Sequence, residues 1–386
     1  MTSLASDCFV TEDRSLSAAL SELGSDAAAH AALGERWRAL EARAAPSFFC
    51  SWGWIGSWLA VLPADRRRLL IEISDGGRLV ALAIIVPGTR RLLRLLTLPI
   101  ALLQDSAVEA ERTPTIEHNG LLALRGREAE PALWTALWQA LRRHGIAELR
   151  IPFVARNRFA PPAGADLRRY ASDPAPFIDL AAAPRDARVA EKLLGRNGRE
   201  QLRRCRKAYE TRGPVRLTVA GSVAEARDYL AGLAQLHQAT WKARGKPGSF
   251  ASAFFVAFHD KLIETRFDAG EIELLRVCAG AEEVGYLYNF RFRDRIYAYQ
   301  SGFAYEEDPR LKPGLICHAL AIERAAADST VRIYDFLAGD SRFKRSFANG
   351  VEPLDSWVVA AQHPLIRLEN TVKKMLIQSP AGKSSV

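Results

Sequence analysis

A helix that opens with Lys312-Pro313-Gly314 has the chemistry to hold a phosphate. The first backbone amides of any helix lack intrahelical partners and carry partial positive charge. Lys312 adds a full charge, Pro313 sets the entry into the helix, and Gly314 lets a ligand come close to the backbone. A plain loop-to-helix junction with a surface lysine has the same letters. Further on, Tyr334, Asp335, Gly339, Asp340, Arg342 and Lys344 fall at and just past the end of an apolar strand, Val331–Phe336. Ligands of open α/β sheets gather at such strand ends. Asp335 interrupts the apolar run, so it either faces solvent, binds an amine or orients a base. Acyl transfer to an amine needs the amine deprotonated and the carbonyl oxygen stabilised. A carboxylate, a histidine or a water chain serves the first need. An Arg, a Lys or a backbone amide serves the second. No Gly-x-Ser-x-Gly elbow occurs, so a hydrolase-type serine nucleophile is not indicated. His237 and Trp241 stand four apart on one helical face. His237 reads as a buried core histidine or as a group near the acceptor; Trp241 reads as core or as a pocket wall. The seven histidines are dispersed, with no His-x-x-x-His and no Cys-x-x-Cys, so no metal site is expected.

The elements that must position these residues are legible in the patterning. Leu274–Cys278 and Val284–Phe292 read as a hairpin. Ile296–Phe303 alternates, with Tyr297 and Tyr299 on one face and Ala298 and Gln300 on the other. Pro313-Gly314 leads into a helix to Asp328, and Val331–Phe336 returns to the sheet, parallel to its predecessor. Upstream, Ser222 and Glu225 form a capping box for a helix ending at Gly245. Phe254, Phe255, Phe258 and Leu262 mark another helix. Arg188–Tyr209 reads as a basic helix weakened by Gly195 and Gly198. In the front half, Leu69–Ser74 and Leu79–Val86 are strands about the turn Asp75-Gly76-Gly77, and Leu92–Leu98 is a further strand. A helix runs from Glu130-Pro131 to His144-Gly145, and Ile146–Ile151 is a strand. The aromatics of Trp37–Trp58 read as core under a sheet. Pro161-Pro162, Pro174 and Pro176 read as a linker or a long excursion.

At 386 residues, with 48% hydrophobic and 25% charged residues, the chain is globular and long enough for two cores. The expected division is a loosely held segment 1–30, a first unit 31–175, a second unit 176–365 and a tail 366–386. The five cysteines are far apart and form no disulfide framework; Cys278 and Cys317 read as core. The cytosol is the simplest compartment, because Met1–His30 lacks the pattern of a signal peptide and Leu79–Val86 is too short to span a bilayer. Peripheral association with a membrane stays open. The formal charge is +9, and 185–216 carries eleven Lys or Arg against four Asp or Glu. Such a patch is a solvated helix face, an attractor for an anionic substrate or cofactor, or a nucleic-acid contact.

Four segments together resemble the CelD/BcsL-type acetyltransferase-like family of the GNAT superfamily: Leu236-His237 to Trp241 with Gly245 and Phe250; Val284–Tyr288; Tyr297–Phe303 with Lys312–Leu315; and Tyr334–Lys344. The likeness covers residues 186–347 well and the front half more loosely. It implies an α/β (α+β) fold of two tandem GNAT-like lobes, each a mixed twisted sheet flanked by helices, as in Fem-type aminoacyl transferases. It implies transfer from acyl-CoA, as a co-substrate, to an amine or hydroxyl of a small molecule or a saccharide or envelope precursor. The donor would sit on Lys312, Pro313, Gly314 and Leu315. Asp335, Arg342, Lys344 and His237 are the candidate catalytic set, and Trp241, Tyr286, Tyr299 and Gln300 the candidate substrate contacts. The entry loop is shorter than the superfamily's usual Gln/Arg-x-x-Gly-x-Gly/Ala. Aminoacyl-tRNA is therefore an alternative donor, fitting the basic 185–216 segment, and a non-catalytic role in a polysaccharide-synthesis assembly is a third reading.

Overall fold

The computed structural model describes residues 16–92, 96–106, 115–183, 186–364 and 366. The front half runs β1 (Leu16–Glu22), α1 (Ala27–Glu41), α2 (Trp52–Val61), β2 (Leu69–Asp75), β3 (Arg78–Leu92), β4 (Leu96–Leu103), β5 (Leu122–Ala123), α3 (Pro131–Arg143), β6 (Glu148–Ala155) and β7 (Ala165–Asp179). The back half runs α4 (Val189–Leu193), α5 (Arg196–Glu210), β8 (Val215–Val219), α6 (Val223–Ala243), α7 (Ala253–Arg266), β9 (Ile272–Ala279), β10 (Glu282–Phe292), β11 (Arg295–Phe303), α8 (Pro313–Ala327), β12 (Ile333–Asp335), α9 (Arg342–Phe347) and β13 (Gly350–Ala361).

Local chemistry accounts for most boundaries. Gly76 and Gly77 both take positive φ, so the β2–β3 hairpin turns within two residues. Ser51, Ser222, Ser252 and Ser341 each accept a hydrogen bond from the third residue of the helix they cap, each cap being worth about 1 kcal/mol. Glu225 completes the box one residue early, accepting from Gly221 N–H. α3 and α8 both begin at a proline that needs no amide partner.

The strands join in the order β1-β2-β3-β4-β6-β13-β7-β12-β11-β10-β9-β8, with β5 paired to β3. The order of elements repeats: an edge strand, two helices, three antiparallel strands, a helix, then a parallel strand. The parallel pairs are β4 with β6 and β11 with β12. The strand that follows each series crosses to the other half. β13 pairs with β6, β7 pairs with β12, and the two pair with each other along their lengths. The expected boundary at residues 175 and 176 thus falls inside β7.

β7 also corrects the linker reading of Pro174 and Pro176. In a strand, a residue's N–H and C=O point to the same side. Here the carbonyls of Pro174 and Pro176 accept the Gly339 and Phe336 amides at 2.9 and 3.0 Å, where no proline N–H is needed. Residues 16–30 are likewise more ordered than expected: β1 lies against β2, and Asp26 caps α1. The expected loose residues 1–15 and nearly all of the tail lie outside the described residues. The basic segment is two helices, α4 and α5, parted at Leu194-Gly195. The expected strand Leu92–Leu98 is divided between the end of β3 and the start of β4.

The front aromatics are core, and they bind the halves together. Phe48 stacks on Phe290 with centroids 4.6 Å apart, Phe49 meets Tyr297 at 5.6 Å, and Trp54 meets Phe258 at 4.7 Å. Among the described residues no helix is long and apolar enough to cross a membrane.

Candidate active site

β11 and β12 pair for only three residues, Arg295–Tyr297 against Ile333–Asp335, and then part. A cleft of about 1160 Å³ opens beyond that point. One wall is β11 from Ala298 to Phe303. There the β10 register steps from Tyr288↔Gln300 to Asn289↔Ala298, so Tyr299 is an extra residue. Such a bulge leaves backbone groups out of the ladder and available to a ligand. The other walls are the starts of α5 and α8, the residues Phe336 and His318, and Ser341–Lys344 with Ser346.

Two long helices therefore point their N-termini into one cleft. Neither is capped by a side chain: Gly195 precedes α5 and Lys312 precedes α8. Their free amides and dipoles favour an anion. The cations nearby reinforce this. Arg196, Arg244, Lys312, Arg342 and Lys344 all line the cleft, and among the described residues none is ion-paired. Lys312 reaches only Gln201, at 3.4 Å, and its backbone is held by the Cys205 thiol. The equivalent helix of the front half is built the opposite way. α3 opens on Glu130, which Arg127 clasps while also binding Asp75. That tip presents a neutralised carboxylate pair where α8 presents a free ammonium.

The structure brings together Lys312, Pro313, Gly314, Leu315, Tyr299, Gln300, Arg342 and Lys344. Four other expected site residues lie elsewhere. His237 is 6% exposed and packed against Phe250 and Trp241. Trp241 is half-buried under Arg244 and Lys246. His237 continues the buried α6 face of Ala226, Leu230 and Leu233, and Trp241, one turn on, lies outside the cleft lining. Tyr286, in β10, is buried against Tyr229 and hydrogen-bonded to Glu283. Asp335 is 1% exposed and behind the cleft rather than in its lining.

Asp335 is instead the hub of a charge cluster at the seam. Its Oδ2 accepts from Arg295 Nη1 at 2.8 Å, and its Oδ1 accepts from Leu337 N–H at 2.8 Å. His118 Nε2 lies 3.0 Å from Oδ2. Burial pushes the Asp335 carboxyl up; His118, Arg295 and the Leu337 amide outweigh it and hold it below the usual range. Leu337 takes φ +60°, a left-handed turn that this amide bond stabilises.

Glu117 and His118 were not legible as site residues. They arrive from the segment before β5, across the seam. Glu117 Oε2 accepts from Ala338 N–H at 2.5 Å. Its Oε1 makes no hydrogen bond among the described residues. Burial drives its carboxyl up to about 7, against the lowering pull of the Ala338 amide, Lys344 and His118. Lys344 donates to the carbonyls of Ala338 at 2.6 Å and Leu337 at 3.2 Å, leaving one N–H for the cleft. Burial lowers the Lys344 ammonium while Glu117 and Asp335 raise it, with a net lowering. The result is a carboxyl that titrates near neutrality behind the cleft lining, tied through the Leu337–Ala338 turn to the Lys344 ammonium that lines it. No cluster of three or more His, Cys, Asp or Glu suited to a metal occurs among the described residues.

Glu117 also sets a pH signature in stability. Its folded pKa lies above its unfolded value of about 4.5, so the folded state holds the proton more tightly. That contribution is complete below about pH 4.5 and is lost as pH rises through 7. Glu117→Gln removes the burden of the ionised form. It is therefore expected to gain on wild type by up to about 3 kcal/mol at pH 8 and little at pH 5, at about 1.4 kcal/mol per pH unit. Thermal melts of both proteins across that range check this.

Residues 196–345, which include most of the cleft, match the family model described as the acetyltransferase (GNAT) domain. No curated protein sequence matches the chain. Among solved structures, FemX superposes with a TM-score of 0.56 at 10% identity, over 87% of this chain and 98% of that one. L-PGS from Bacillus licheniformis superposes at 0.51 and 12% identity, over 89% and 97%. A conserved protein of unknown function from Bacteroides thetaiotaomicron VPI-5482 superposes at 0.50 and 9%, over 85% and 97%. At these identities the likeness is one of fold. The chain's fold, a mixed, twisted sheet flanked by helices, is like that of FemX and L-PGS, and its residues 196–345 are similar to the acetyltransferase (GNAT) domain.

Proposed function

We propose that this protein is an acyltransferase. It takes an acyl group from a phosphate-bearing carrier and passes it to an amine or hydroxyl of a small molecule or of a saccharide or envelope precursor. One observation carries the reading: two uncapped helix N-termini and five unpaired cations converge on the cleft where β11 and β12 part. In this reading the carrier's phosphates rest on the Gly314 amide and on those of Asn197-Gly198, with Lys312, Arg196 and Arg342 around them. Tyr299 and Gln300 line its arm. Lys344 faces the carbonyl, and Glu117 takes the proton from the acceptor. Asp335, Arg295 and His118 act as positioning residues: they hold the turn at Leu337–Ala338 to which both Glu117 and Lys344 are tied. We read the repeated order of elements as two tandem GNAT-like lobes, with the CelD/BcsL-type family as the relationship that the quoted motifs support.

Two carriers fit the phosphate chemistry. The fold likeness to FemX and L-PGS leans to aminoacyl-tRNA. So does α5, whose exposed Arg199 and Lys207, ion-paired to no described residue, continue outward from Arg196. The matched acetyltransferase domain model supports acyl-CoA. Salt separates them. Binding of aminoacyl-tRNA is expected to fall by an order of magnitude or more between about 50 and 200 mM salt, as counterions are released, whereas acetyl-CoA binding is expected to change several-fold at most. Titrations of the wild-type protein with each carrier at both salt concentrations test this. A protein that binds neither carrier at low salt would remove the proposal.

A further inference from the structure

His318 lines the cleft beyond the α8 tip. It stands four residues after Gly314, so both lie on one face of α8, the histidine about 6 Å deeper than the helix tip. A carrier whose phosphates sit at the tip must pass its arm along that face to reach the strand ends. The ring lines the cleft and is clamped by aromatic neighbours: Phe343 at 4.7 Å, Phe303 at 5.9 Å and Phe336 at 5.9 Å between centroids. It is 8% exposed and makes no hydrogen bond among the described residues. Its Nδ1 is sealed off from solvent with no partner.

That orphan nitrogen identifies the tautomer. A buried N–H without an acceptor is rarer and costlier than a buried acceptor without a donor. The proton therefore belongs on Nε2, the nitrogen that is not sealed. The ring also stays neutral: burial, reinforced by the nearby Lys344 ammonium, brings its pKa down to about 3. A ring so weakly basic does not serve as the proton acceptor at neutral pH, which leaves it one polar function, donation of a hydrogen bond. A neutral imidazole N–H is an established form of electrophilic assistance at a carbonyl.

We infer that His318 Nε2–H and the Lys344 ammonium together receive the carbonyl oxygen of the acyl group during transfer, which makes His318 a catalytic residue for the proposed reaction. This inference rests on the acyl-transfer reading above. The neutral acceptor nitrogen or oxygen attacks the carbonyl carbon, its lone pair forms the new bond, and the C=O π pair moves onto oxygen. That oxyanion takes the two hydrogen bonds. Its collapse restores C=O and expels the carrier's sulfur or ribose oxygen with the bonding pair. The proton lost by the acceptor goes to that leaving group, so none is gained or lost overall. Two donors with no carboxylate between them suit an oxygen that becomes negative, and they discriminate against a cationic group at the same spot.

The test has a spectroscopic and a kinetic arm. In protein labelled with 15N-histidine, the His318 resonances, assigned by their loss in His318→Gln, are expected to show a neutral ring protonated at Nε2 from pH 5 to 8. Turnover is measured with acetyl-CoA and with an aminoacylated tRNA acceptor minihelix, using hydroxylamine as surrogate acceptor and subtracting the uncatalysed rate. His318→Leu is expected to lower kcat about 100-fold, the usual effect of losing one oxyanion donor, with KM for the carrier within about threefold. His318→Gln, which keeps an N–H in similar reach, is expected to recover most of that loss. An Nδ1–H tautomer, a charged ring at pH 6, or a His318→Leu protein with wild-type kcat each overturns the inference while leaving the transfer reading intact. A wild-type protein that transfers from neither carrier fails earlier, and then the reading and the inference fall together.

Discussion

Asp335→Ala is expected to cost about 3–5 kcal/mol of folding stability, the usual consequence of removing one member of a buried ion pair. The carboxylate neutralises Arg295, lies against the His118 ring at the seam and also ends the left-handed turn at Leu337. Alanine leaves the buried Leu337 amide without its acceptor and the Arg295 guanidinium with only the longer contact to Glu352, at 3.9 Å. Hydrophobic replacement does not compensate, because the orphaned groups remain. Chemical denaturation should show a lower midpoint with an unchanged slope. The native carboxyl's pKa is held low, so its contribution is present above its unfolded pKa of about 3.8 and is lost as pH falls through the folded value. The gap between wild type and variant should therefore narrow in strong acid. If Asp335→Ala folds with wild-type stability and only loses turnover, Asp335 is a reacting group and its placement behind the cleft is wrong.

Lys344→Met is expected to lower kcat by about 10²–10³ with little change in carrier affinity. Methionine keeps the apolar stem against the fold and removes the ammonium that faces the transferred carbonyl. Loss of the bonds to the Leu337 and Ala338 carbonyls will cost some stability as well, so the rate must be read at a temperature where both proteins are folded. Lys344→Arg supplies the control, since it restores positive charge and donors. A Lys344→Met protein that loses affinity for the carrier but keeps its kcat would move this residue from the reaction centre to the phosphate site.

Much of the cleft could be read from local letters. Proline and glycine mark the α8 tip because backbone conformation there is a short-range matter, and alternation exposes the β11 wall for the same reason. The bulge at Tyr299 is not legible, because it depends on the register against β10. Gly195 and Gly198 look like flaws in one long basic helix. They sit instead at the break that gives α5 an N-terminus of its own, aimed into the cleft. The seam was the least legible part. The Glu117–Ala338 bond spans 221 residues of sequence, and it exists only because β7 and β13 exchange sides. Asp335, seen without Arg295 and His118, looks like a free carboxylate in an apolar strand. His237 and Trp241 share a helical face, but spacing alone does not distinguish a face on the core from a face on a pocket. His318 could not be separated from any other polar residue of α8 until its aromatic clamp and its orphan nitrogen were visible.

In the proposed reaction the α5 and α8 tips hold the phosphates of the acyl carrier. The most direct test is a calorimetric titration of wild type and Lys312→Glu with acetyl-CoA and with an aminoacylated minihelix, at low salt. Reversing the charge at an exposed helix tip leaves the core untouched, so both proteins should fold alike. At least one carrier is expected to bind wild type and to bind Lys312→Glu at least tenfold more weakly. Equal affinity of both proteins for that carrier would contradict the assignment.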